Sequence, residues 1–278
     1  MRSDGWHLTE DLDEFLARAG EFLRSRPALH TTPLTTIEKL RTRGPGAGTT
    51  VFGWLVEEGE VRACLHRLPT LRVNATVLSP DQSDALAAHL VDAGLAVSGV
   101  SAVHDTSTAF AEAWRRRTGA TSMPTWAVRL HRLGALTPPD PFPEGRRRTP
   151  DREEVIRWCG EFVVEVGEAP GLDAEAWAGS RFADKHFAFW EVGGTPVAMA
   201  ASTTMVAGMV RVDPVYTPPR FRGRGHAGAV TAEVSRAALA AGATDVVLFT
   251  DPANPTSNAL YRRLGYVPIA DFTGHAFA

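Results

Sequence analysis

The sequence has little cysteine and no long apolar segment, and both absences exclude classes of protein. Its two cysteines, Cys64 and Cys159, stand far apart and outside CxxC or Cys/His spacing, which argues against a disulfide framework and a zinc site. The acidic N-terminus lacks the apolar core of a secretory signal. The longest apolar stretch, residues 197–210, is interrupted by polar residues and Gly208 and is too short to cross a bilayer. We therefore expect a reduced, cytoplasmic protein that binds no metal and does not enter a membrane.

A strong excess of one charge is also lacking. The 278 residues carry 29 Lys+Arg against 32 Asp+Glu, for a net charge of −3 at pH 7, and 44% are hydrophobic, as in ordinary globular proteins. Arginine runs at residues 115–117 and 146–148 have no nucleic-acid recognition motif beside them. We interpret both runs as solvated faces and expect no nucleic-acid partner.

The pattern of elements indicates an α/β chain made of two similar halves. Residues 137–145 are rich in proline and acidic residues and predict a linker between domains at 1–136 and 146–278. The first half predicts the order strand, helix, strand, helix, strand at 72–78, 80–93, 96–103, 106–118 and 126–133. The second half repeats this order from residue 209 onward, which predicts a duplicated fold.

The second half begins with a predicted strand at 146–149, which is followed by two helices and a hairpin. These are helices at 150–166 and 173–183 and strands at 187–192 and 196–204, with the next strand at 209–216. That last strand leads into the stretch on which the functional interpretation depends.

Residues 213–230 contain the sequence R-x-x-G-x-G, from Arg220 to Gly225. A β-branched run precedes it and a helical pattern starting near His226 follows it, so the glycines lie at a strand-to-helix turn. Glycine lets the backbone approach a ligand closely, and the first N–H groups of the helix lack partners and carry the positive end of its dipole. The turn therefore predicts a site for a phosphate group.

The same glycines allow a second phosphate interpretation. Gly223, Gly225 and Gly228 spell G-x-G-x-x-G, the fingerprint of dinucleotide-binding enzymes. That motif places its first glycine directly after a strand and continues into further parallel strands, whereas here residues 218–222 intervene and about fifty residues remain. The dinucleotide interpretation is the weaker one, and it predicts NAD binding.

Four segments together closely resemble the acyl-CoA-binding half of the GNAT superfamily of N-acyltransferases. They are V-Y-T-P-P at 215–219, R-G-R-G at 222–225, F-T-D at 249–251 and N-P-T-S-N-A-L-Y-R-R-L-G-Y at 254–266. The resemblance is specific over residues 207–270. It implies two GNAT-like domains, each with a mixed, mostly antiparallel central sheet flanked by helices.

The resemblance also implies roles for individual residues. The loop would hold the pyrophosphate of coenzyme A, and Tyr261 would stand beside the thiol as general acid. Backbone N–H groups around Val215 and Tyr216 would polarise the carbonyl, and the general base stays open between a carboxylate such as Asp213 and ordered water. The predicted cofactor-binding residues are Val215, Tyr216, Thr217, Arg220, Arg222, Gly223, Arg224, Gly225, His226, Ala227, Gly228, Asn254 and Asn258.

The first half departs from this pattern. Where the second half has R-x-x-G-x-G, the first has S-P-D-Q-S at 79–83, without glycine and with Asp81 and Asp84 facing any phosphate. Arg115 takes the place of Tyr261. We therefore expect a degenerate domain that binds no coenzyme A.

These features predict an acetyl-CoA-dependent N-acetyltransferase that transfers the acetyl group to a primary amine by direct attack on the thioester. The expected acceptor is a small-molecule amine, and the expected state is a monomer or a homodimer. The alternative is a non-catalytic acyl-CoA-binding sensor or structural protein, which would bind the thioester without turnover.

Overall fold

The computed structural model of the chain describes residues 4–44, 48–166 and 185–278. The described helices are α1 Leu12–Ser25, α2 Thr31–Arg43, α3 Pro80–Asp92, α4 His104–Thr118, α5 Arg152–Glu165, α6 His226–Ala240 and α7 Pro255–Arg263. The strands are β1 Gly5–Thr9, β2 Val51–Glu57, β3 Glu60–Arg67, β4 Arg72–Ala75, β5 Gly99–Val103, β6 Ser122–Leu133, β7 Arg146–Arg148, β8 Lys185–Val192, β9 Thr195–Thr203, β10 Met209–Tyr216, β11 Asp245–Thr250 and β12 Tyr266–Phe277.

The chain divides into two compact units. The first comprises Met1–Leu130 and Ile269–Ala278, and the second comprises His131–Pro268. This division follows contacts between residues, whereas the boundaries 1–136 and 146–278 concern family domains and stay a prediction. The assignment of the last residues of β12 to the first unit has no signal in the sequence.

Each unit repeats one order of strands and helices. In the first unit β3 pairs antiparallel with β4, β4 pairs parallel with β5, and α3 connects the parallel strands. In the second unit β9, β10, β11 and α6 repeat this arrangement. The predicted α/β class and the predicted duplication are confirmed by these pairings.

Several element boundaries differ from the predictions. Strand β1 was not predicted, β4 ends at Ala75 instead of residue 78, and β5 starts at Gly99 instead of residue 96. Strand β4 does not extend to residue 78, because the backbone of Leu78 is bound by the hydroxyl of Thr106 in α4 and not by a neighbouring strand. The helix predicted at 173–183 lies outside the described residues.

The sheet of the second unit is covered on both faces. Along β8, Ala188 and Trp190 belong to the core that includes α6, whereas Phe189 packs with Trp158 and Cys159 of α5. Successive side chains of a strand point to opposite faces, so α5 and α6 lie on opposite sides of the sheet. A local signal starts α5, because Asp151 and Glu154 form a capping box at its N-terminus.

Candidate active site

A gap opens between β10 and β11 at their carboxyl ends. The two strands pair in parallel at Met209–Arg211, and the described register ends at the pair of Arg211 with Val247. Beyond this point the two strands line a cavity of about 690 Å³. Clefts at the carboxyl ends of parallel strands are common ligand sites in α/β proteins. The unpaired edge of β10 offers backbone groups to an extended ligand.

A β-bulge on the other edge of β10 changes which face its residues point to. Val212 pairs with Ser202 and Val215 with Ala200 of β9, so one residue is extra on β10. Val212 packs in the core of α6, whereas Tyr216 packs with the α5 core. Without the bulge, residues 212 and 216 would share a face. The bulge therefore brings β10 side chains from both faces to the cavity.

The loop predicted as a phosphate site closes one side of the cavity. Gly223 and Gly225 adopt positive φ angles of 76° and 79°, a region that L-residues with a Cβ adopt at a cost. Helix α6 begins at His226 directly after Gly225, and no side chain caps its N-terminus. His226, Ala227 and Gly228 line the cavity, so the free N–H groups and the positive end of the helix dipole are available to an anion there.

Two buried polar atoms of the cavity lack protein partners. Within residues 4–44, 48–166 and 185–278, Oγ1 of Thr217 and Nδ1 of His226 form no hydrogen bond. Burial, and then the charge of Arg224, lowers the pKa of His226, which favours the neutral imidazole at pH 7. Buried polar atoms in proteins are normally hydrogen-bonded, so both atoms fit a site whose ligand supplies polar groups.

The side chain of Arg222 lines the cavity and bridges Thr217 and Glu165. Its Nε donates to the carbonyl oxygen of Thr217 at 2.9 Å, and its Nη2 lies 2.9 Å from Oε1 of Glu165 in α5. Both side chains of the ion pair are partly exposed, so the pair is weak and a phosphate can compete for the guanidinium. Arg220 instead lies over the ring of Phe221, at 4.7 Å from its centroid.

Helix α7 brings Tyr261 to the cavity. The ring is only 8% exposed and packs against Tyr266 with the ring centroids 6.0 Å apart. Burial raises the pKa of Tyr261, and the charges of Tyr266 and Asp213 raise it further. The phenol therefore keeps its proton throughout the physiological pH range, as a general acid must.

Asn254 and Asn258 both stabilise the turn before α7. Asn254 Oδ1 accepts from the N–H of Ser257 at 3.0 Å as the N-cap. The Asn258 amide accepts from the Thr250 hydroxyl at 2.8 Å and donates to the Asn254 carbonyl at 2.7 Å. Asn254 also lines the cavity, whereas Asn258 lies outside its lining.

The structure brings together most of the predicted site residues. The cavity is lined by Tyr261 and by Val215, Tyr216, Thr217, Arg222, Gly223, Arg224, Gly225, His226, Ala227, Gly228 and Asn254. Arg220 and Asn258 lie outside the lining, because the first side chain stacks on Phe221 and the amide of the second is used by the turn. Their predicted role in cofactor binding, like that of the others, stays a prediction.

Sequence reasoning missed one wall of the cavity. Phe162, Glu165 and Val166, at the end of α5, line it from a position about fifty residues before the loop. No motif marks these residues. The helical period of α5 shows only that one face is apolar, and it does not show what that face meets.

The corresponding place in the first unit is closed. Ser79 caps α3: its hydroxyl accepts from the N–H of Gln82 at 3.1 Å, and the Gln82 side chain accepts from the N–H of Ser79 at 2.9 Å. The Thr106 hydroxyl binds both backbone groups of Leu78. In the first unit, side chains of the protein therefore bind the N-terminus of α3 and the backbone of Leu78 after β4.

None of the helices in the described part of the chain is long and apolar enough to span a membrane. Residues 4–44, 48–166 and 185–278 contain no group of three or more His, Cys, Asp or Glu side chains placed to hold a metal ion.

Comparisons with known proteins agree with this geometry. The sequence model of the acetyltransferase (GNAT) family matches residues 152–266. No curated protein matches the chain.

Solved structures match most or nearly all of the chain. A GCN5-related N-acetyltransferase from Sphaerobacter thermophilus is 20% identical, with a TM-score of 0.60 over 99% of this chain and 96% of that one. A tandem GNAT protein from the clavulanic acid biosynthesis pathway is 13% identical, with a TM-score of 0.60 over 98% of each chain. A GCN5-related N-acetyltransferase from Kribbella flavida is 21% identical, with a TM-score of 0.53 over 77% of this chain and 86% of that one.

At these identities the structures show a shared fold, and they confirm the predicted fold of two GNAT-like domains. The family match falls on the unit that holds the open strand gap, the uncapped helix and the buried tyrosine. Residues 152–266 therefore form a domain of the acetyltransferase (GNAT) family, and the whole chain has the fold of tandem GNAT proteins.

Proposed function

We propose that the protein is an N-acetyltransferase that transfers the acetyl group of acetyl-CoA to a primary amine of a small-molecule acceptor. One observation carries the proposal: a single cavity joins the uncapped N-terminus of α6, the gap between β10 and β11, and the buried phenol of Tyr261. An anion site, an extended groove and a proton donor are the three parts that transfer from a phosphorylated thioester carrier requires.

The loop would bind the phosphates of acetyl-CoA, and β10 would bind its extended arm. The N–H groups of residues 226–228, with Arg222 and Arg224, would hold the phosphates, and residues 215–217 would hydrogen-bond the extended amide arm. Charge-assisted hydrogen bonds contribute about 1.5–3 kcal/mol each, so a few of them supply much of the roughly 8 kcal/mol of a micromolar complex. The partnerless Thr217 hydroxyl and His226 imidazole fit the same ligand.

The bound thioester supplies an activated acetyl group, and the protein supplies the proton transfers. An alkyl ammonium with a pKa of about 10.4 must lose a proton before it attacks, which costs roughly 4.6 kcal/mol at pH 7. The acceptor of this proton stays open between Asp213, which lines the cavity, and ordered water. Tyr261 would protonate the leaving thiolate, and N–H groups around Val215 and Tyr216 would polarise the carbonyl oxygen.

The first unit would serve as a degenerate copy, with the family domains at 1–136 and 146–278. Its closed helix terminus supports binding of one acetyl-CoA per chain. The reduced cytoplasm suits both cysteines, which are free and buried.

The test is thiol release from acetyl-CoA with a panel of primary amines, with mass spectrometry of the products. We expect turnover with at least one amine and a mass increase of one acetyl group on that amine. Binding of acetyl-CoA without turnover across the panel would support the sensor alternative. Absence of any heat on titration with acetyl-CoA or coenzyme A would contradict both, and NAD binding would restore the dinucleotide interpretation.

A further inference from the structure

Lys185 and Asp213 form an ion pair that spans strand β9. Lys185 is the first residue of β8 and pairs with Thr203, while Val212 of β10 pairs with Ser202 on the other edge of β9. The Nζ atom of Lys185 lies 2.5 Å from Oδ2 of Asp213. The lysine side chain therefore crosses β9 to reach β10 at the start of its bulge.

The two partners are buried to different degrees. The side chain of Lys185 is 8% exposed, whereas that of Asp213 is 43% exposed and lines the cavity. An ammonium group at this depth requires a partner, because burying an uncompensated charge is strongly unfavourable. Asp213 is thus a charged partner of the buried Lys185, and it still presents a surface to the cavity.

The charges of both residues reach neighbouring groups on two helices. Burial raises the pKa of Cys159 in α5 to about 12, with Lys185 lowering it and Asp213 raising it to smaller extents. Asp213 also contributes to the raised pKa of Tyr261 in α7, after burial and Tyr266. The charge of Asp213 therefore acts both on the α5 side of the sheet and on the phenol that we propose as the proton donor.

Lysine is rare in this chain, so its presence at a buried position indicates that the type of cation matters there. Of 29 Lys+Arg residues only Lys39 and Lys185 are lysines, and Lys39 is exposed on α2. A compact ammonium can lie across β9 and contact one carboxylate, whereas a guanidinium is wider and presents five donors in a fixed plane. The buried position suits the smaller cation.

We infer that Lys185 is a positioning residue for the acceptor: it holds the carboxylate of Asp213 at the bulge in the orientation in which Asp213 binds the ammonium group of the amine. A carboxylate has about four lone-pair sites, so Asp213 can accept from Lys185 and from the acceptor together. The inference rests on the proposed function. It assigns no covalent step to Lys185.

The test compares variants at the pair in the full-length protein, using an amine that the wild type acetylates. K185M removes the charge with little change in length, K185R keeps the charge, and D213E keeps both charges but moves the carboxylate. R129M is the matched control, because it breaks the Arg129–Asp271 ion pair, whose N–O distance is 2.7 Å, in the first unit. The readouts are the acceptor KM, kcat, and the Kd for acetyl-CoA from calorimetry.

We expect K185M and D213E to raise the acceptor KM about tenfold or more, the loss typical of a charge-assisted hydrogen bond. We expect their Kd for acetyl-CoA to stay within about twofold of wild type. K185R should raise the acceptor KM less than K185M does, because it keeps the charge but its wider guanidinium fits the buried position less well than the ammonium. R129M should leave all three constants unchanged.

Two results would overturn the inference while leaving the proposed function intact. One is a lowered kcat with an unchanged acceptor KM in K185M and D213E. The other is an equal loss of affinity for donor and acceptor, which indicates a general structural role. If K185M does not fold, K185R and D213E still decide the question. A wild type that turns over no amine would reject the proposed function and the inference with it.

Discussion

The hydroxyl of Thr106 forms hydrogen bonds with both backbone groups of Leu78, accepting from the N–H at 2.9 Å and donating to the carbonyl at 3.2 Å. At the corresponding point of the second unit, after β10, the Thr217 hydroxyl is buried and has no partner within the described residues. The turn at Leu78 is therefore satisfied within the first unit, whereas the turn at Thr217 keeps one polar side-chain group available to a ligand.

This difference predicts one donor site per chain. Calorimetric titration with acetyl-CoA should give a stoichiometry of one, and Gly225→Val should abolish all of the heat, because α3, the counterpart of α6 in the first unit, is capped by Ser79. Two equivalents bound by the wild type, or one equivalent still bound by the variant, would show that the first unit also binds acetyl-CoA.

Gly223 and Gly242 lie before and after α6, respectively. Alanine variants at the two positions distinguish a role in ligand binding from the effect of backbone strain. Both have positive φ, 76° and 92°, and an added Cβ would meet no atom within 4 Å at either position. Alanine at either site should therefore cost a similar stability, of the order of 1–2 kcal/mol. Only Gly223→Ala should weaken acetyl-CoA binding, by about tenfold, since it alone alters the loop at the cavity.

Thermal unfolding and calorimetry on the two glycine variants measure these quantities side by side. Equal donor affinity in both variants, despite equal loss of stability, would mean that the loop does not bind the phosphates.

Tyr261→Phe keeps the ring that packs against Tyr266 and removes only the proposed proton donor. We expect kcat to fall about a hundredfold or more, the typical contribution of general acid catalysis, with the Kd for acetyl-CoA unchanged. Steady-state rates and calorimetry on the same preparation test this. Retention of most of the kcat would assign Tyr261 to packing alone.

The sequence predicts the parts of the site that are close together along the chain. The loop at 220–225 and Tyr261 lie where their motifs place them, because glycine geometry and helix capping are local properties. Asn258 shows the limit of spacing arguments. It shares a helix face with Tyr261, but its amide is used by Thr250 and Asn254, which helical periodicity does not reveal.

The remaining parts depend on contacts between distant residues. Glu165 reaches Arg222, and Lys185 reaches Asp213 across β9, only because the sheet and α5 bring them together. Neither pair has a signature in the spacing of its residues. These ion pairs can therefore be identified only when the strand register and the position of α5 are known.

All three tyrosines of the chain, Tyr216, Tyr261 and Tyr266, have a raised pKa, with burial as the largest cause. An exposed tyrosine is half ionised at about pH 10. We expect the tyrosinate absorbance of the folded protein at 295 nm to be well below half of its maximum at that pH, and to rise further at higher pH. Half-maximal absorbance at about pH 10 with intact circular dichroism would contradict the burial of these rings.

His66 makes the first unit sensitive to acid. It lies on β3, is 2% exposed, and burial lowers its pKa to about 4. Because the folded pKa is below the unfolded value of about 6.5, the unfolded state takes up a proton first as the pH falls, and stability falls with it. Between pH 7 and pH 4.5 this group should remove about 2–3 kcal/mol from the free energy of unfolding.

Urea unfolding of the wild type, His66→Gln and His186→Gln at pH 7 and pH 4.5 tests this contribution. His186 is an exposed histidine on β8 and serves as the matched control. His66→Gln should reduce the difference in unfolding free energy between the two pH values by about 2–3 kcal/mol, because glutamine does not titrate, while His186→Gln should leave it unchanged. Equal pH dependence in all three proteins would place the acid sensitivity in other groups.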